Sequence, residues 1–91
     1  MDNTKIAIES LSMDLLRIAL GYHRGSNKMA KRFSEEALKR INEIDSSNLK
    51  PYLARVLKML PSILSNQNKE RVAEDTLMYS IIFKNYAKKF F

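Results

Sequence analysis

The chain has 91 residues, the length of one small domain, and its hydrophobic content of 45% is that of a folded protein rather than a disordered one. It carries 16 basic and 10 acidic residues, a formal net charge of +6, and no cysteine. The absence of cysteine excludes disulfides, a thiolate nucleophile and cysteine metal sites. Two glycines and two prolines are too few for many short strands joined by tight turns, so we expect long helices.

The amino-terminal stretch is amphipathic and has Asp2 where a secretory signal has basic residues. No apolar run approaches the roughly 20 residues that span a bilayer. These features predict a cytoplasmic protein with no membrane partner.

The first predicted helix begins at Asn3 or Thr4 and runs to about Leu20, and Gly21 or Gly25 ends it. Its apolar residues recur at helical spacing: Ile8, Leu11, Leu15, Ile18 and Ala19.

The second predicted helix is capped by Ser26 or Asn27. Its apolar residues share one face, namely Met29, Ala30, Phe33, Ala37, Ile41 and Ile44. The stretch Asp45–Asn48 is a turn whose side chains can also cap the third helix.

The third predicted helix has Pro51 in its first turn, where the missing N–H has no cost. Its apolar stripe keeps phase across Pro61, which predicts one helix kinked there rather than two separate elements. The stripe consists of Leu53, Val56, Leu57, Leu60 and Leu64.

After a loop at Ser65–Asn68, the fourth predicted helix runs from Lys69 to about Phe90. Its core stripe is Val72, Thr76, Tyr79, Phe83, Tyr86, Ala87 and Phe90. Further apolar residues point elsewhere, which allows two interpretations. Either this helix is enclosed on all sides by its own chain, or a second surface binds a larger subunit or another copy. The candidates for that surface are Leu77, Met78, Ile81, Ile82 and Phe91.

Residues 1–91 therefore predict an all-α fold, a single-domain four-helix bundle. Helix three is expected to be kinked at Pro61, and helix four to be central and the most apolar.

Catalytic chemistry has little support in the sequence. The single histidine, His23, lies between two helices without a partner at metal-binding spacing. Glu70, Glu74 and Asp75 lie in the first turns of helix four, where acids complement the helix dipole. No phosphate loop, catalytic triad or zinc spacing occurs. We expect no enzymatic activity, cofactor, metal or small-molecule substrate.

Positive charge concentrates in two stretches without acids, Tyr22–Arg32 and Leu49–Lys58. Such stretches favour polyanions, although a basic surface that only confers solubility remains an alternative. Contact with a nucleic-acid backbone is favoured over sequence readout, and DNA and RNA both remain open. The candidate residues are Arg24, Lys28, Lys31, Arg32, Lys50, Arg55 and Lys58.

A cysteine-free, lysine-rich helical chain of this size with an apolar final helix resembles the small accessory subunit bound to the archaeal family-B replicative DNA polymerase. The resemblance covers size, charge and helical order. It implies a non-catalytic DNA-replication subunit that docks on the polymerase by an apolar face and holds DNA with basic side chains. Two alternatives stay open. They are the small helical subunit of a CRISPR effector, and a protein-interaction adaptor or homodimer without a nucleic-acid role.

Overall fold

The computed structural model describes residues 3–91, in which all regular structure is helical. Its elements are α1 (Thr4–His23), α2 (Asn27–Glu43), a short 3₁₀ turn (Ser46–Asn48), α3 (Pro51–Leu64) and α4 (Lys69–Phe90). The prediction of an all-α four-helix bundle is confirmed. The apolar run at 76–83 lies inside α4.

The end of α1 is set by Gly25, whose φ of 74° lies in the left-handed region that favours glycine. The Ser26 N–H donates to the Gly21 carbonyl at 2.8 Å, and the Gly25 N–H donates to the Tyr22 carbonyl at 3.1 Å. This hydrogen-bond pair is a Schellman motif. Gly21 lies inside the helix, so α1 extends three residues beyond the predicted end at Leu20.

The segment between α2 and α3 differs from the predicted turn. The Asp45 carboxylate accepts from the Ser47 N–H at 3.0 Å and therefore caps the 3₁₀ turn rather than α3. The residue that precedes α3 is Lys50, and Pro51 is the first helical residue, as predicted. The helix continues through Pro61 as one element, and the expected kink stays a prediction.

The middle of the bundle is occupied by α1, which packs extensively against both α2 and α4. The prediction that helix four is central is wrong in this respect. Small residues let both neighbours approach α1 closely. An added Cβ on Gly21 would lie 2.9 Å from the Ala30 nitrogen in α2, and the Ser12 hydroxyl donates to the Ser80 carbonyl in α4 at 2.7 Å. Averaged over whole helices, α1 and α3 are also more hydrophobic than α4.

The core is continuous through the four helices. Its fully buried large side chains are Phe83, Ile8, Leu11, Leu15, Ile18, Leu53, Leu60, Val72 and Thr76. The predicted stripe of α4 is largely correct, but the buried face also includes Ala73 and Ser80, and Phe90 is 38% exposed.

The interpretation that α4 is enclosed on all sides by its own chain is wrong. Leu77, Met78 and Ile81 are exposed, because α4 packs mainly against α1 and leaves its outer faces uncovered.

Within residues 3–91, no helix combines the length and hydropathy needed to cross a bilayer.

Candidate nucleic-acid and partner interfaces

Four of the predicted basic residues lie around the start of α2, and we call them the α2 cluster: Arg24, Lys28, Lys31 and Arg32. All four are exposed. Positions 28, 31 and 32 are three and four residues apart, so their side chains leave the same face of the helix. The cluster therefore presents adjacent cations to solvent.

The start of α2 is already partly capped. The Ser26 hydroxyl accepts from the Met29 N–H at 3.2 Å, which uses one of the helix-terminal donors that a phosphate could otherwise take. Beside it, Ser26, Lys28, Met29, Arg32 and Phe33 line a shallow depression of about 290 Å³. What the α2 cluster offers an anion is thus mainly side-chain charge.

The other predicted basic residues form the α3 cluster: Lys50, Arg55 and Lys58. They are exposed, and Arg55 and Lys58 are one turn apart. Lys50 follows the end of α2, whereas the α2 cluster surrounds its start. The intervening 17-residue helix is about 25 Å long. Lys50 is therefore well separated from the α2 cluster, and the seven residues do not form one compact site.

None of these seven side chains forms an ion pair with a carboxylate among residues 3–91. The ion pairs among residues 3–91 use other cations. They join Lys39 to Glu36 and Arg40 to Glu43 in α2, and Arg71 to Asp75 in α4. The charges of the α2 and α3 clusters are consequently not neutralised by their own chain.

An apolar groove runs between α1 and α4, with a volume of about 350 Å³. Its apolar walls are Met13, Leu16, Leu77 and Ile81, which define the α1–α4 groove. Between 38% and 52% of each of these side chains is exposed. Glu9 and Lys84 add one charge of each sign to the lining.

The residues of the α4 wall were predicted from the sequence, but those of the α1 wall were not. Met13 and Leu16 lie off the buried stripe of α1, in the same way that Leu77 and Ile81 lie off the stripe of α4. That signal was present in the sequence. The pairing of the two walls was not, because it depends on how the helices pack.

The remaining predicted partner residues do not line the groove. Met78 is exposed on α4, and Ile82 is half-buried and packs against the core. Phe91 lies at the far end of the chain, with its ring centroid 6.1 Å from that of Tyr86. The five predicted residues therefore belong to at least two surfaces.

His23 borders a depression of about 300 Å³ with Tyr22 and three charged side chains of α4, namely Lys69, Glu70 and Glu74. The structure thus brings the histidine and two of the predicted acids together, while Asp75 pairs with Arg71 at 3.6 Å. In the part of the chain described, no three His, Cys, Asp or Glu side chains are arranged to hold a metal ion.

One buried carboxylate escaped the sequence analysis. Asp14 is only 7% exposed on α1, and burial raises its pKa, while the positive charges of Arg40 and Arg17 oppose that rise. Its position on the buried side of α1 gave no functional signal in the sequence.

Comparisons with protein-family models, with curated proteins and with solved structures find no match to this chain.

Proposed function

We propose that this chain is a non-catalytic accessory subunit of a nucleic-acid-processing complex. The observation that carries the proposal is the set of seven exposed basic side chains without carboxylate partners among residues 3–91. Cations that are not paired with a carboxylate can neutralise phosphates and release the counterions bound to them.

Backbone contact is favoured over base readout. Lys50 follows the end of α2 and the α2 cluster surrounds its start, so these cations are separated by a helix about 25 Å long, a spacing suited to several phosphates along a strand. In addition, α3 begins with Pro51 and Tyr52, which are poor side chains for reading base edges in the major groove.

The same proposal assigns the α1–α4 groove to a larger protein subunit. A groove lined by four half-exposed apolar side chains fits an amphipathic helix that inserts its own apolar side chains at helical spacing. Glu9 and Lys84 in its lining offer one partner for each sign of charge and would orient the incoming helix.

The resemblance to the accessory subunit of the archaeal family-B polymerase makes a replicative DNA polymerase the first partner to test. Under this proposal, the groove docks on the polymerase and the two basic clusters hold DNA beside it.

The test of the protein partner is a pull-down of the full chain from native extract, with and without nuclease, followed by identification of the recovered proteins. We expect a polymerase subunit that survives nuclease treatment and is lost with Ile81→Ser. The matched control is Met59→Ser, since Met59 is 47% exposed on α3 and does not line the groove.

Three outcomes would contradict the polymerase assignment. Recovery of CRISPR effector subunits would support the rival complex. Loss of every protein after nuclease treatment would leave a chain that binds nucleic acid alone. Self-association abolished by Ile81→Ser would support the homodimer interpretation.

A further inference from the structure

Four aromatic rings cluster where the start of α3 meets the end of α4. The Tyr86 ring is buried at the centre, with its centroid 6.0 Å from Tyr52, 4.6 Å from Phe90 and 6.1 Å from Phe91. The residues that carry the three outer rings are 53%, 38% and 43% exposed, respectively. We call Tyr52, Phe90 and Phe91 the aromatic platform. All three of its residues are accessible to solvent.

The floor of this platform is held in place by a polar contact. The Lys50 backbone N–H donates to the Tyr86 hydroxyl at 2.9 Å, which satisfies the polar end of the buried ring. The platform is therefore built on a ring fixed between two helices rather than on a loose chain end.

Two ammonium groups accompany the exposed rings. The Nζ atoms of Lys50 and Lys89 each lie 5.4 Å from the Phe90 ring centroid, within cation–π range. The adjoining depression of about 340 Å³ has no Asp or Glu side chain among its lining residues. The nearest acid before it in the chain, Asp45, is engaged by Ser47.

Exposed aromatic rings beside uncompensated lysines are the combination that binds single-stranded nucleic acid, because bases stack on the rings and lysines neutralise phosphates. A duplex cannot use such rings without unstacking, since its bases are already stacked on one another. An acidic protein segment would satisfy the lysines but would leave the ring faces without stacking partners.

We propose that the aromatic platform, with Lys50 and Lys89, is a binding site for single-stranded nucleic acid that stacks unpaired bases on Tyr52 and Phe90. The inference rests on the proposed nucleic-acid role and specifies the form of the ligand. It also unites Lys50, expected to contact nucleic acid, with Phe91, expected to contact a protein, in one site.

The test measures fluorescence anisotropy of labelled oligothymidylate and oligouridylate of about 12 nucleotides, and of a duplex of equal length, at low salt. We expect the single strands to bind more tightly than the duplex. Phe90→Ala should weaken single-strand binding about 5- to 140-fold, the range that corresponds to the loss of one stacked base. Tighter binding of either single strand than of the duplex supports the site, and the ratio of the two single-strand affinities distinguishes DNA from RNA.

Two matched variants separate stacking from apolar contact. Tyr52→Phe keeps the ring and should bind like wild type, whereas Phe90→Leu keeps apolar bulk without a π face and should be as weak as Phe90→Ala. Tyr52→Trp supplies a reporter that needs no change at Phe90, because the chain has no tryptophan. Its fluorescence should be quenched by oligothymidylate even if the Phe90 variants fold poorly.

Equal affinity for duplex and single strands, with no effect of Phe90→Leu and no quenching of the tryptophan, would overturn this inference while leaving the proposed backbone binding intact. If the chain bound none of these nucleic acids at low salt, both this inference and the proposed backbone binding would be refuted. If Phe90→Leu left oligonucleotide binding unchanged but lost a protein that wild type recovers in the pull-down, the platform would be assigned to a protein partner instead.

Discussion

Substitutions in α4 can separate the core from the groove wall. Phe83 is completely buried, so Phe83→Ala should cost ~3–5 kcal/mol, a large part of the ~5–15 kcal/mol that stabilises a small domain. Ile81 is 52% exposed, and complete burial of such a side chain contributes ~1.5–3 kcal/mol. Ile81→Ser should therefore cost about half of that contribution, ~0.7–1.5 kcal/mol.

The assay is thermal unfolding of both variants followed by far-UV circular dichroism. At ~4–8 °C per kcal/mol for a domain of this size, Ile81→Ser should lower Tm by ~3–12 °C, and Phe83→Ala should lower it by ~12–40 °C. If Ile81→Ser were as damaging as Phe83→Ala, Ile81 would be a core residue, and the reasoning that assigns it to an open groove would be refuted.

Three further substitutions test the packing and the buried charge. Gly21→Ala should lower Tm. The ~1 kcal/mol gained in helix propensity is outweighed by the clash of a Cβ 2.9 Å from the Ala30 backbone nitrogen. A rise in Tm would contradict the close approach of α1 and α2. Gly25→Ala should also lower Tm although no atom lies near the added Cβ, because its φ of 74° is strained for any other residue, and an unchanged Tm would contradict the Schellman ending of α1. Asp14→Asn should stabilise the protein at neutral pH, because burial raises the pKa of Asp14 and its ionised form is penalised in the folded state. This gain should be full above the folded pKa and vanish as the pH falls to the unfolded value of 3.8, and destabilisation at neutral pH would show that attraction to Arg40 outweighs burial.

The helices could be predicted because their signals are local. Each one repeats an apolar side chain at helical spacing, and Pro51 at the start of α3 and Asn68 before α4 mark boundaries by their own chemistry. The choice between Gly21 and Gly25 was harder. Both are glycines, and only the folded chain shows that Gly25 ends α1 whereas Gly21 allows α2 to approach.

The arrangement of the helices could not be predicted in the same way. The central place of α1 depends on close approaches such as Ser12 to Ser80, which join residues far apart in the sequence. Apolar residues on all sides of α4 suggested that this helix is central. The same pattern also arises when one apolar face of a helix stays exposed, as the face that carries Ile81 does here.

The candidate sites could likewise be predicted only in part. The basic residues were identified from composition, and their exposure agrees with the expectation of a charged surface. The α1 wall of the groove and the meeting of Lys50 with Phe90 both require the tertiary structure. No local pattern places the start of α3 beside the end of α4.

The central claim is that the uncompensated cations of the α2 and α3 clusters bind a nucleic-acid backbone, and the salt dependence of binding tests it most directly. The measurement titrates the full chain with two duplexes of unrelated sequence over a range of salt concentrations. The matched control is Lys39→Ala, which removes the same charge from the same helix at a residue paired with Glu36.

The account predicts a linear log–log decrease in affinity with salt, equal for both sequences. The double variant Lys28→Ala/Arg32→Ala should reduce the slope by about two, one for each phosphate that the protein no longer neutralises, while Lys39→Ala leaves it nearly unchanged. Three results would contradict the account: binding that does not depend on salt, no binding at low salt, or a Lys39→Ala effect as large as that of Lys28→Ala/Arg32→Ala. Each would favour a basic surface that only keeps the protein in solution.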